Sequence, residues 1–126
     1  STLKALGSGL GALGARTFER RDLMNALRRA QLFSGRLERV EMEVAEGVCR
    51  IRGEDAVLGS AAETLATEGE GPAMKFAFNI RYLLEGLALF GSDRIHFEYN
   101  EPNTPVLIHS GDRDSSLYIV MPMKLE

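Results

Sequence analysis

A chain of 126 residues with 44% hydrophobic and 26% charged side chains has the length and composition of one soluble domain with its own core. Its longest apolar runs fall far short of the ~20 residues of a membrane-spanning helix, and no signal-peptide pattern is visible, so no membrane partner is expected. The single cysteine, Cys49, excludes an internal disulfide and fits a reducing, cytoplasmic environment.

Charge is distributed unevenly along the chain, although the net charge is only −3. Residues 20–39 contain six arginines and two acidic residues, whereas residues 41–70 contain eight acidic residues and two arginines. A basic segment in an acidic protein is compatible with one surface that meets phosphate groups while the rest stays in solvent. The alternative is a solvated face with no such partner, and charge alone favours that alternative.

Residues 1–15 are rich in glycine and are expected to form a flexible linker or arm. They include the pattern G-x-G-x-x-G at positions 9–14. That pattern has a nucleotide-binding role only between a strand and a helix, and no strand is predicted before it. Nucleotide binding is therefore not expected.

The next segment predicts a strand followed by an amphipathic helix. The strand is expected at 16–20, and Asp22 can cap a helix over 23–33 with Gly35 just beyond its end. The apolar stripe of this helix contains Leu23, Leu27 and Ala30. The opposite face is polar and basic, with Arg21, Asn25, Arg28 and Gln31, and Arg29 beside them. Because this face has no aromatic residue for base stacking, the helix is suited to phosphate contact and not to sequence readout.

Four strands are predicted between this helix and the next, at 40–44, 48–52, 57–66 and 74–78. Gly53-Glu54-Asp55 is expected to be a loop. Cys49 is expected to be a small buried strand residue, since nothing near it in the sequence would lower its pKa. The acidic residues at 63, 68 and 70 are typical of a solvated strand edge, where charge discourages unwanted pairing.

A second helix and three further strands are predicted in the second half of the chain. Asn79 is expected to cap a helix that ends at Gly91 and buries Ile80, Leu83, Leu84 and Leu87. Three strands follow, with inward positions at 95, 97 and 99 in the first and at 106 and 108 in the second. The predicted order is β-α-β-β-β-β-α-β-β-β. This order indicates an α+β fold in which two helices pack on a largely antiparallel sheet.

The last strand of the chain leads into an apolar terminus. Leu117, Ile119 and Met121 alternate with Tyr118 and Val120, so one face of this strand can be buried. A proline at 122 should end regular pairing, or allow it only at a sheet edge. Methionine at 121 and 123 and leucine at 125 suit a groove that receives varied side chains, because methionine is flexible and polarizable. A final core strand with an apolar tip is the equally weighted alternative.

No catalytic or metal site is indicated by the sequence. His96 and His109 are isolated in predicted strands, and neither has a second ligand at metal-binding spacing. Ser115-Ser116 lacks the context of a nucleophile elbow. The protein is therefore not expected to be an enzyme or to need a cofactor.

Four stretches, in this order, resemble one known family, the bacterial sliding clamp or DNA polymerase III beta subunit. They are 21–34 from Arg21-Asp22-Leu23 to Phe33-Ser34, 78–84 (FNIRYLL), 102–108 with Pro105-Val106-Leu107-Ile108, and 118–125 (YIVMPMKL). The similarity covers roughly residues 17–125 and concerns the third of the family's three domains. Residues 1–15 do not resemble the segment that precedes this domain.

The resemblance implies a DNA-clamp fold and a role as a replication processivity factor. Such clamps close around duplex DNA as a head-to-tail homodimer and act in the bacterial cytoplasm on the nucleoid. A groove at their C-terminus binds short linear motifs of DNA polymerase, clamp loader and repair proteins. A stand-alone α+β interaction domain with no direct role on DNA is the alternative. Gathering of basic residues on the face of the first helix favours the clamp.

Site residues follow from the resemblance position by position. The groove positions are Asn79, Tyr82, Asn103, Pro105, Val120, Met121, Pro122, Met123 and Leu125. The DNA-facing positions are Arg21, Asn25, Arg28 and Arg29. The dimer-interface positions are Leu32, Phe33 and Glu63. Because the family's first two domains are absent, this chain is not expected to encircle DNA alone.

Overall fold

The computed structural model describes residues 12–111 and 117–125, and in this part of the chain nine strands and two helices form. The strands are β1 (Gly14–Glu19), β2 (Arg39–Ala45), β3 (Val48–Asp55), β4 (Gly59–Ala66), β5 (Glu68–Glu70), β6 (Met74–Asn79), β7 (Arg94–Tyr99), β8 (Val106–His109) and β9 (Leu117–Val120). The helices are α1 (Arg20–Gln31) and α2 (Ile80–Ala88). The predicted order is confirmed, with the short β5 as an addition.

The strands form two sheets where the sequence predicted one. Their orders are β5-β1-β7-β8-β9 and β4-β3-β2-β6, and the neighbouring strands pair antiparallel. The α+β class is confirmed. The alternating pattern of a strand indicates which residues face inward but not which strand it pairs with. The division into two sheets therefore could not be predicted from the sequence pattern.

The two halves of the described chain have the same internal order. One half runs β1-α1-β2-β3-β4 and the other runs β6-α2-β7-β8-β9. Each first strand pairs with the sheet of the other half, because β1 joins β7 and β6 joins β2. Each helix is also followed by a Leu-Phe pair, and the two leucines, Leu32 and Leu89, are 69% and 68% exposed. The edge strands β4 and β9 therefore occupy equivalent positions.

One core fills the space between the helices and the sheets. The predicted stripe of α1 is buried at Leu23, Leu27 and Ala30, and α2 buries Ile80, Leu83 and Leu87. Aromatic rings connect the two sheets, with the Phe76 and Tyr99 ring centroids 5.3 Å apart in an edge-on arrangement. This core includes Cys49, and burial raises the pKa of its thiol to about 12, so the thiol stays protonated and unreactive at neutral pH.

Arg16 is buried in the core side of β1, although its side chain is cationic and only 3% exposed. Its guanidinium donates to the Ala45 carbonyl and to the Gly71 carbonyl, each at 2.8 Å, and to the Tyr99 hydroxyl at 3.3 Å. The Tyr99 hydroxyl in turn donates to the Pro72 carbonyl. These bonds hold the turns of both sheets to one side chain, and no sequence pattern marked Arg16 for this role.

The boundary predictions for α1 were wrong by a few residues. The helix begins at Arg20 and not after Asp22, and its N-cap residue Glu19 makes no side-chain capping bond. A tertiary contact replaces the cap, because the Arg20 amide donates to the Asp93 carbonyl at 2.8 Å and its side chain donates to the Ser92 carbonyl. A helix start that depends on a distant loop leaves no local sequence signal.

Two segments expected to be irregular belong to strands. Gly53-Glu54-Asp55 extends β3, where Gly53 pairs with Val40 and packs against the end of α1 so closely that a Cβ would meet the Ala30 carbonyl. The strand β1 begins at Gly14, inside the segment predicted to be a linker. Residues 1–11 and the Ser115-Ser116 pair lie outside the described residues. Neither described helix is long and apolar enough to cross a membrane.

We expect Arg16→Met to lower the free energy of unfolding by about 2 kcal/mol, because it leaves buried carbonyl groups without donors. Chemical denaturation with matched m-values measures this loss. Arg94→Met is the control, because Arg94 is exposed and, within the described residues, forms an ion pair only with the exposed Glu68, so its change should stay within about 0.5 kcal/mol. Equal effects of the two substitutions would contradict the role assigned to Arg16.

Candidate functional site

The C-terminal segment crosses from one sheet to the other. Pairing of β9 ends at Val120, as the proline at 122 predicts, and the chain then meets the edge strand β6. There the Met123 amide donates to the Ala77 carbonyl at 2.7 Å in an isolated antiparallel bridge. Because the bridge is antiparallel, Met121 lies on the side of Asn79, where α2 begins. The terminus is thus fixed beside the start of α2.

The start of α2 is shaped by two polar contacts. The Asn79 side chain accepts a hydrogen bond from the Tyr82 amide at 3.0 Å, which confirms the predicted cap. The Tyr82 carbonyl accepts a hydrogen bond from the Tyr118 hydroxyl at 3.0 Å, and the Tyr118 ring lies so close to Gly86 that a Cβ there would clash with it. The Tyr82 side chain is 52% exposed, so it is not a core residue.

The turn before β8 lies at the same end of the sheet. Val106 pairs with Val120, so the antiparallel register brings Pro105 toward Met121. Asn103 adopts a left-handed conformation with φ +70°, in a turn closed by the hydrogen bond from the Thr104 amide to the Glu101 carbonyl. The structure therefore brings together the predicted groove residues of α2, the β8 turn and the C-terminal segment.

The exposure of β9 corrects one groove residue. Val120 is 7% exposed and packs in the core, so it offers little surface for contact with a ligand. Its neighbour Ile119 is 49% exposed and lies on the same side of the strand as Met121, which is also exposed. Ile119 was missed because alternation identifies two faces without saying which one is buried. The available sequence signal was that Ile119 lies two residues before Met121 and so on the same side of an extended strand.

The basic face of α1 is smaller than the charge of segment 20–39 suggests. Arg21, Asn25 and Arg28 are exposed at helical spacing on one side, and Arg28 donates to the Asn25 side chain at 3.4 Å. Arg29 instead donates to Glu63 at 2.9 Å, and this bond raises the pKa of its guanidinium. Within the described chain, no ion pair involves Arg21 or Arg28. On the exposed face of α1, Arg21 and Arg28 are therefore available for an anion.

Acidic residues of β2 pair with arginines of β3 and form a mixed-charge ladder on the β4-β3-β2-β6 sheet. Glu41 lies opposite Arg52 and Glu43 lies opposite Arg50 in the β2–β3 pairing, so the acids are balanced across the strands. A cavity of about 340 Å³ beside this ladder is lined in part by Leu37 and Arg52 and includes none of the predicted site residues. The ladder is a solvated outer surface, and within it Glu41 lies opposite Ala77, the residue that Met123 bridges.

The predicted interface residues cluster at the edge strand β4. Leu32 is exposed just beyond α1, whereas Phe33 is half-buried. Leu32 therefore offers more surface for contact with another chain than Phe33 does. Glu63 lies on β4 and connects this strand to α1 through Arg29. One edge of β4 pairs with β3, and the other edge has no partner strand within the described residues. Such an edge is open to pairing with another chain.

The two histidines are not isolated in space, which corrects the sequence prediction. His96 and His109 pair across β7 and β8 with ring centroids 5.2 Å apart. His109 Nε2 lies 2.7 Å from a Glu98 carboxylate oxygen, and His96 Nδ1 lies 2.9 Å from the Thr17 hydroxyl. Among the described residues, no group of three potential ligands could hold a metal ion. Cross-strand pairing produced this cluster, and sequence spacing could not reveal it.

Comparisons with known proteins identify the family of this domain. The family model for the DNA polymerase III beta subunit, C-terminal domain, matches residues 15–124. The beta sliding clamp of Pseudomonas aeruginosa is 30% identical over 108 residues, which is 85% of this chain and 29% of that protein. The clamp of Vibrio cholerae is also 30% identical, over 105 residues, 82% of this chain and 29% of that protein.

Solved structures give the same result for the fold. The DNA polymerase III subunit beta of Pseudomonas aeruginosa superposes with a TM-score of 0.87 and 26% identity, covering 98% of this chain and 34% of that one. Its sliding clamp bound to griselimycin superposes with a TM-score of 0.86 at 24% identity, covering 99% of this chain and 34% of that one.

Fold and sequence together define a sliding-clamp domain. The chain belongs to the family of C-terminal domains of the DNA polymerase III beta subunit. It spans less than a third of the length of the curated relatives that it matches.

Proposed function

We propose that this chain is a domain of a DNA-replication processivity factor, which acts by binding and not by catalysis. The observation that carries the proposal is the bridge from Met123 to Ala77, which holds the apolar terminus against the start of α2. A free, fraying terminus could not present a defined surface. Fixed in this way, the terminus offers one wall of a groove for short linear motifs of polymerase, clamp-loader and repair proteins.

The groove suits a peptide with an apolar anchor. Ile119 and Met121 supply exposed apolar surface on one side, and Tyr82 supplies an exposed ring on the other. Methionine adapts to anchors of different shape, and the tyrosine combines an apolar body with a polar tip. An anchor binds well only when water is excluded around it. In the family the second wall belongs to the preceding domain, so this chain alone should bind such a peptide weakly.

Duplex DNA is the second proposed partner, met by the exposed face of α1 in an assembled ring. Arg21 and Arg28 have no acidic partner in the described chain, and Asn25 between them can donate a hydrogen bond to phosphate. Two to three phosphate contacts support weak, sequence-independent attraction, which is what a ring that slides on DNA requires.

Arg21→Glu combined with Arg28→Glu should reduce this attraction. Because each lost phosphate contact removes about one unit, the slope of log affinity against log salt should fall by about two. Titration of a fluorescent duplex at several salt concentrations measures this slope. The control is Arg52→Glu combined with Lys75→Glu. It makes the same charge change on exposed residues of β3 and β6, away from the exposed face of α1. Tight binding of one sequence at ~200 mM salt, or equal losses in both variants, would rule the proposal out.

The ring is proposed to close through β4, with Leu32 as an apolar contact beside it. Leu32→Ser should leave thermal melting almost unchanged, because the side chain is 69% exposed, while abolishing association with the first domain of a related clamp. Analytical ultracentrifugation measures the association. Leu89→Ser is the matched control, with 68% exposure at the equivalent end of α2, and should still associate. A large loss of stability in Leu32→Ser, or association that survives it, would show that the interface is elsewhere.

A further inference from the structure

The turn between β3 and β4 exposes two apolar side chains next to each other. Val57 is 89% exposed and Leu58 is 66% exposed, and the next residue, Gly59, begins β4. The sequence pattern predicted both in a strand over 57–66, but they lie in the turn that precedes β4. Adjacent apolar side chains left in solvent indicate a contact surface when other exposed apolar groups lie nearby. We call Val57 and Leu58 the hairpin tip.

A side-chain cap fixes the shape of the hairpin tip. One carboxylate oxygen of Asp55 accepts hydrogen bonds from the amides of Leu58 and Val57, each at 2.8 Å. These bonds lower the pKa of the Asp55 carboxyl, so the cap remains ionised at neutral pH. Gly59 then adopts φ +103° and returns the chain into β4. A tip ordered in this way loses little conformational freedom when another surface covers it.

The hairpin tip continues the open edge of β4. The last residue of β3, Asp55, pairs with Gly59, so the tip lies directly beyond the start of β4. The other edge of β4 has no partner strand within the described residues. Its first four residues, 59–62, are all small, so another chain can approach this edge closely. A strand that pairs with β4 would therefore end beside the tip.

The segment that follows α1 reaches the same end of the sheet. A Cβ on Gly53 would lie 3.1 Å from the Phe33 carbonyl oxygen, and one on Gly35 would lie 3.3 Å from the Glu54 carbonyl oxygen. Residues 33–35 thus pass along the end of β3, next to the turn at 56–58. Leu32, which begins this segment, is 69% exposed. The end of the sheet at which β4 begins therefore carries three exposed apolar side chains.

We propose that the hairpin tip is a second apolar anchor of the ring-closing interface and inserts into an apolar depression on the first domain of a partner subunit. This proposal rests on the ring closure through β4 proposed above. The occupant follows from continuity, because an edge strand that pairs with β4 brings its own domain over the tip. The one charged side chain of β4, Glu63, already pairs with Arg29. Apolar anchors therefore determine which strand edge β4 accepts, since main-chain hydrogen bonds alone select little.

The test measures association with the first domain of the Pseudomonas aeruginosa clamp by analytical ultracentrifugation. Val57→Ser combined with Leu58→Ser should weaken association about tenfold or more, because truncation of an apolar anchor removes a large share of the affinity. Val57→Ile combined with Leu58→Met keeps the apolar volume and should associate as the native chain does. Leu37→Ser is the matched control and should also leave association unchanged. That leucine is 70% exposed beside β2, which β3 separates from β4.

The outcomes separate the anchor from the ring closure on which it rests. If the serine double variant associates as tightly as the native chain while Leu32→Ser does not associate, the role of the tip is overturned and closure through β4 stands. A comparable loss in Leu37→Ser overturns the role of the tip as well, because any exposed leucine would then act alike. If the native chain itself does not associate, both proposals fall. Thermal melting of each variant verifies that these exposed substitutions leave the domain folded.

Discussion

The exchange of first strands between the two halves of the chain holds the domain together. Because β1 pairs with β7 and β6 pairs with β2, neither half can complete its sheet without the other. Both helices are therefore held over one core. The same exchange leaves β4 and β9 at the outer edges, where the described chain offers no partner strand. A domain with two equivalent open edges is suited to joining others end to end.

The position of the C-terminus follows from this arrangement. Because β9 is the edge of one sheet and β6 the edge of the other, a segment that leaves β9 can reach Ala77 within a few residues. The helix α2 lies where this crossing occurs, fixed by the contact of Tyr118 with Gly86 and by the cap at Asn79. Fold and candidate groove are thus linked through a small number of contacts that a packing change in α2 would disturb.

Sequence reasoning recovered what depends on local periodicity and missed what depends on strand partners. Hydrophobic spacing identified the buried stripes of both helices, because burial on a helix follows the 3.6-residue repeat. The buried Arg16, the His96–His109 pair and the exposure of Ile119 each depend on a strand from another part of the chain. The grouping of the groove residues came from family resemblance, and the contact of Arg81 with Glu38 came only from the three-dimensional structure.

An NMR titration of the labelled chain shows whether the anchored C-terminus forms one wall of a peptide groove. A peptide with a Leu-Phe anchor should shift the amide signals of Tyr82, Met121 and Met123, with a dissociation constant around or above ~100 μM, about −5.5 kcal/mol. Signals of the outer ladder around Arg52 should not move. Shifts confined to that ladder, or no shifts in residues 79–82 and 119–125, would show that the C-terminus does not form a peptide groove.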